Sequence, residues 1–129
     1  MAEKDVIRTD RAPGPFQGAP YNQAIRVGDL VFVAGQLGIS LETGGLAGET
    51  VEEQTEQIME NLAAILEAAG SELDRLVKTT VFLLDLGDFA GMNEVYARHV
   101  GDRPPARSTI GISALPSGAL IEIEAIAHV

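Results

Sequence analysis

TVEEQTEQIMENLAAILEAAG, positions 50–70, is the stretch from which the fold class follows. Thr50 and Glu53 have capping-box spacing, in which each side chain satisfies the other residue's free backbone N–H. Ile58, Leu62, Ile65, Leu66 and Ala69 recur at helical spacing and make one apolar face. Gly70 stands where a left-handed C-cap is wanted. The spacing therefore predicts a helix over Thr50–Ala69. Its opposite face carries Glu52, Glu53, Glu56, Glu60 and Glu67 without a basic residue. That face reads as solvated, or as a docking surface for a basic partner.

One apolar stripe needs a second layer to cover it. Upstream lie a short candidate strand at Asp5–Thr9 and a Pro- and Gly-rich irregular stretch at Arg11–Pro20. A weakly alternating segment, Asn22–Val27, is followed by a Gly28-Asp29 turn signal. The five-residue apolar run Leu30–Ala34 suits a strand buried on both faces. Gly35 interrupts that run, and Gln36–Ser40 is its possible continuation. Glu42–Gly48, with Gly44-Gly45, reads as a loop.

Downstream, Val77–Leu84 is a strongly apolar strand. A second helix is expected from about Leu86 to Val100, with Asp85 or Asp88 as N-cap and Phe89, Met92, Tyr96 and Val100 as its apolar face. Pro104-Pro105 breaks the chain. Ser108–Ser113 and Leu120–Ala127 are the late strands, with Pro116-Ser117-Gly118 turning between them. The order β-β-β-α-β-α-β-β predicts an α+β sheet backed on one face by two helices, in a single domain over residues 1–129. The other face, fed by Leu30–Ala34 and Val81–Leu84, would be an apolar patch in a lone chain. An oligomer that buries this face is the physical consequence, though periodicity does not count its subunits.

The balance of charge narrows the function. Nineteen acidic residues against nine Lys and Arg give a formal net charge of −10, and no basic run exists. Nucleic acid and anionic membranes are disfavoured as partners. With no cysteine, disulfides, thiolate metal sites and a cysteine nucleophile are excluded. His99 and His128 lie far apart without metal-ligand spacing. Met1-Ala2-Glu3-Lys4-Asp5 has no apolar signal core, so a cytoplasmic location is expected.

Three spots carry candidate chemistry. Arg107 sits where the Pro104-Pro105 loop enters a strand, and its planar fork suits a carboxylate. Position alone fits an ordinary surface arginine equally well. On the last strand, Ile121, Ile123 and Ala125 point one way while Glu122 and Glu124 point the other. Two carboxylates among apolar neighbours can hold a general acid or base with a raised pKa, or simply mark a half-exposed face. Asn93 shares a helical face with Phe89, Met92 and Tyr96. Buried there, its amide needs partners, and capping a loop or strand end is the plainer role.

In these residues the chain resembles the RidA/YjgF family over about Val6–Ala127. The most specific stretch is Pro105-Ala106-Arg107-Ser108-Thr109, then Leu115-Pro116 and Ile121–Ala127. Ala19–Ala24, Ala34-Gly35-Gln36, Val77–Phe82, and Asp88-Phe89 with Met92-Asn93 and Tyr96 match in order. The resemblance implies a chorismate-mutase-like fold and a homotrimer whose sheets form a central barrel, with clefts between subunits. It implies hydrolysis of reactive 2-imino or 2-enamino acids, such as 2-aminoacrylate, to 2-oxo acids and ammonia. Neither cofactor nor metal is implied.

Carried over by position, Arg107 corresponds to the family's carboxylate-binding arginine and Glu122 to the acid near the attacking water. Tyr21 and Asn93 correspond to residues lining or supporting the cleft, and Gly35 and Thr109 to positions whose backbone faces the ligand. Ala34 departs from the family: many of its deaminases have a serine there, so a hydroxyl is missing and substrate preference is affected. Rival readings are a non-catalytic binder of small carboxylates acting as regulator or chaperone, a dedicated catabolic enamine deaminase, and a ribonuclease. The net charge and the lack of a basic stripe argue against the last.

Overall fold

A computed structural model describes residues 3–129. Met1 and Ala2, the start of the segment read as lacking a signal core, lie outside the described residues. The expected helix forms as α1, Val51–Ala68, and Thr50 caps it. The Glu53 backbone N–H donates to Thr50 Oγ1 at 3.1 Å, and the Thr50 N–H donates to Glu53 Oε1 at 3.3 Å. Gly70 takes φ +84°, the left-handed conformation that ends the helix.

Around α1 the strands are β1 (Lys4–Ile7), β2 (Ala24–Val27), β3 (Leu30–Leu37), β4 (Leu76–Leu83), β5 (Ala106–Gly111) and β6 (Ile121–His128). The second helix, α2, spans Phe89–Val100. The strands make one mixed sheet in the order β1-β2-β3-β6-β4-β5, with β4 and β5 parallel and the other pairs antiparallel. Element order, sheet and two backing helices agree with the α+β reading.

The core fills the space between helices and sheet. Ile58, Met59, Leu62, Ile65 and Leu66 of α1 and Met92 of α2 are fully buried with Val31, Val81, Leu83, Ile121 and Ile123 of the sheet. Burial of this apolar surface is the main stabilising term. Polar bonds set the register of helix on sheet. Gln54 is buried, accepts from the Leu120 N–H at 2.8 Å and donates to the Gly48 carbonyl at 3.0 Å. Asn61 donates to the carbonyls of Leu37 and Ile39. Together they pin the exit of β3 and the entry of β6.

In the lone chain Leu30–Ala34 is covered on one face only, as expected: Val31 and Val33 are buried, whereas Leu30 and Phe32 are 41% and 43% exposed. Two expectations are corrected. Phe89 is not core but 44% exposed, and Val95 takes its place in the buried face of α2. Asp88 makes no capping bond, while Asp85 accepts from the Gly87 N–H and caps a short 3-10 turn at Leu86–Asp88 instead.

The acidic face of α1 is also less free than its sequence suggests. Glu53 is engaged in the cap, Glu67 pairs with Arg11 at 2.7 Å, and Glu56 pairs with His99 at 2.9 Å. Across the open face of the sheet, registers align Val6, Ile25, Phe32 and Ile126 in one row. Val6 and Phe32 are exposed there. Among the described residues no helix is long and apolar enough to cross a membrane.

Candidate active site

The sheet separates the candidate residues. On β5, Arg107 pairs in register with Thr79. Thr79 is fully buried, and its hydroxyl bonds that of Tyr96 on α2 at 2.6 Å, so Arg107 lies on the helix side. On β6, Glu122 is in register with Phe82, three positions beyond Thr79 along the regular part of β4. Side chains alternate along a strand, so Glu122 lies on the open side. Within one chain the two residues proposed for chemistry stand on opposite faces, with β4 between their strands.

Arg107 is held by rings. Its guanidinium carbon sits 4.9 Å from the Tyr96 ring centroid and 5.5 Å from that of Phe89. Such cation–π contacts position a guanidinium without neutralising it. Its Nη1 also donates weakly to Met92 Sδ at 3.9 Å. Among the described residues no carboxylate pairs with it, so the fork is open to an anion. Burial raises the Tyr96 hydroxyl's pKa, outweighing the lowering by Thr79 and Arg107. Thr109 follows on the same side of β5, half-buried, and Asn93 is half-buried next to Met92 on α2. β5 ends the sheet, so one edge of its backbone is unpaired within the chain.

On the open side, Tyr21, Ala34, Gly35 and Glu122 meet in a hollow of about 350 Å³, closed by Phe16, Leu37 and Pro116. The β3–β6 register slips between Val33 and Gln36, so Ala34 and Gly35 form an irregularity of the bulge kind. There Glu122 crosses close over the backbone. A Cβ on Gly35 would lie 2.6 Å from Glu122 Oε2, so a side chain at this position would push the carboxylate out of its place. Burial pushes the Glu122 carboxyl above its usual range, and the charge of Glu124 adds to the effect. The Phe16 N–H donates to the Tyr21 hydroxyl at 2.6 Å, which leaves the phenolic proton free to donate elsewhere.

Two tight turns rim this hollow. Gln17 and Gly18 both have positive φ between Phe16 and Ala19, and Ser117 and Gly118 repeat the conformation between Pro116 and Ala119. Both have the signs of a type I′ turn. A non-glycine residue in this region costs on the order of 1–3 kcal/mol, and such strain gathers at functional sites. Gln23 secures the neighbouring segment. It accepts from the Thr9 N–H and donates to the carbonyls of Thr9, Ala12 and Pro13.

Gln23, Gln54 and Asn61 were missed as site supports. For the last two a signal existed: amides at positions 54 and 61 fall within the apolar stripe through Ile58, Leu62 and Ile65.

Comparison with known proteins shows the family to which the chain belongs. The family model described as endoribonuclease L-PSP matches residues 11–129. The chain belongs to that family, the YjgF/RidA family. A RutC family protein of Pyrococcus abyssi is 51% identical over 125 residues, covering 97% of each chain. The human 2-iminobutanoate/2-iminopropanoate deaminase is 41% identical over 122 residues, covering 95% of this chain and 88% of its own. The crystal structure of RidA from an Antarctic Psychrobacter superposes with a TM-score of 0.91 at 43% identity, covering 97% of this chain and 99% of that one. The YjgF/RidA fold is therefore the fold of this chain, a six-stranded mixed sheet backed by two helices.

Proposed function

We propose that this chain is a hydrolase that converts 2-imino and 2-enamino acids, 2-aminoacrylate among them, to 2-oxo acids and ammonia. The observation that carries the reading is the pair of complementary half-sites. One is an arginine fork without a countercharge among the described residues, and the other is a hollow holding a carboxyl of raised pKa. They lie on opposite faces, so one small substrate meets both only between protomers. The assembly proposed is a homotrimer, in which Arg107, Thr109 and Asn93 of one protomer face Tyr21, Ala34, Gly35 and Glu122 of the next. The exposed apolar row on the open sheet face supports burial against further copies.

The chemistry follows from these groups. The Arg107 fork binds the substrate carboxylate through two parallel bonds and fixes the imine carbon beside the hollow. Ionised Glu122 takes a proton from water as its oxygen bonds to that carbon. The electron pair of the C=N bond moves to nitrogen. Glu122 then returns the proton to nitrogen, giving a carbinolamine, and next carries the adduct's hydroxyl proton to the amine as the C–N bond breaks, so that ammonia leaves and the carbonyl forms. Tyr21, with its proton unclaimed by Phe16, can donate to the adduct's oxygen. A carboxylate with a raised pKa is a better proton acceptor than an ordinary one.

The test generates imines in situ with an amino-acid oxidase and follows ammonia release. Wild type accelerates release, and Glu122→Gln loses about 10²–10⁴-fold of that acceleration while still binding a 2-oxo acid. The sign of the pH dependence is set by the raised pKa. Activity needs the ionised form, so kcat/KM falls with decreasing pH from above the ordinary carboxylate range, and this limb disappears in Glu122→Gln. No acceleration by the wild type, with a 2-oxo acid still bound, would return the protein to a non-catalytic carboxylate binder.

A further inference from the structure

Beside the hollow that holds Glu122 lies a second, more enclosed cavity of about 300 Å³. Its walls include Pro13, Phe16, Leu37, Ile39 and Leu46. Phe16, Tyr21, Gly35 and Leu37 line both spaces, so the cavity continues from the reacting end of the site. A backbone bridge between Ile39 and Leu46 ties the loop after β3 into its wall. The cavity is not where the proton chemistry sits, since Glu122 does not line it.

We propose that this cavity receives the substrate's side chain and selects imino acids with branched aliphatic or aromatic side chains. This rests on the deaminase reading above. Among the described residues no Asp, Glu, Lys or Arg lines the space. Its most buried polar group, Gln23, already spends its amide on Thr9, Ala12 and Pro13, and Gln36 donates to the Ala34 carbonyl. A charged side chain entering here would lose its water and find no opposite charge. An alkyl or aryl side chain would exchange water for apolar walls. One methylene in an apolar pocket changes kcat/KM by roughly 10–200-fold. The imine of leucine should therefore outrun that of alanine, and that of aspartate should lag behind both.

Leu46→Trp fills the cavity from the loop side. Imines are generated by oxidase from leucine, alanine and aspartate, and kcat/KM is measured for the assembled wild type and variant. The ratio for leucine-derived over alanine-derived imine should fall at least tenfold in Leu46→Trp, and a smaller fall overturns the assignment. Wild type that hydrolyses the aspartate-derived imine as fast as the leucine-derived one also overturns it, without relying on any variant. If wild type hydrolyses no imine, the deaminase reading fails by itself. The cavity is then judged by binding alone, as the Kd of pyruvate divided by that of 4-methyl-2-oxopentanoate. A value well above one that collapses in Leu46→Trp supports the apolar subsite, and a value unchanged by the substitution removes it.

Discussion

Arg107 has cation–π partners and no carboxylate among the described residues, which makes it sensitive to both charge and shape. Removing one partner of a buried ion pair costs about 3–5 kcal/mol. Arg107→Ala should accordingly lower kcat/KM by about 10²-fold or more. Arg107→Lys should rescue poorly, because an ammonium keeps the charge and loses the planar fork. Both variants should assemble like wild type, which gel filtration checks, and near wild-type turnover in assembled Arg107→Ala would remove the residue from the mechanism. Arg107 stood out in the sequence because two prolines deliver it to a strand. Its setting did not, since Phe89 reads as core by helical spacing and is instead an exposed ring beside the guanidinium. The closeness of Gly35 to Glu122 was not legible at all. It depends on the register of two strands 84 residues apart and on a slip between them.

At the level of the elements, α1 shows what local sequence can specify. Cap, apolar stripe and C-terminal glycine all point to the same helix, and its observed span departs from the expected one by a residue at each end. Thr50→Ala should cost about 1 kcal/mol through loss of the capping hydroxyl. Urea unfolding at matched protein concentration measures this, and an unchanged midpoint would show that packing alone ends the helix. The strands were legible in order and less so in their burial. Apolar content alone cannot say whether a second face is covered by the same chain or by another. The roles of Gln54 and Asn61 were hidden for a related reason. An amide in an apolar stripe announces a partner, but the partners are backbone groups of distant strands.

For the molecule as a whole, the open sheet face is the deciding feature. It presents Leu30 and Phe32 at about two-fifths exposure beside half-buried Ile126, with Lys78, Thr80 and Glu124 among them. A face of this mixed character suits symmetric association better than a fixed hydrophobic core does. Light scattering at micromolar concentration should give a mass near three chains of 13.6 kDa. A stable monomer would contradict both the burial of this face and the shared site. A dimer would contradict the threefold arrangement alone.

The placement of Arg107 and Glu122 on opposite faces of the sheet also bears on inheritance. If each working site borrows one half from a neighbour, two defective genes need not make a defective cell. Protomers with Arg107→Ala and protomers with Glu122→Gln, inactive as pure populations, would recover activity on being unfolded together and reassembled. Some junctions in the mixed oligomer would join two intact halves. The reciprocal junctions would carry both lesions, so recovery would always be partial. Had both residues shared one face and one chain, no mixing could restore anything.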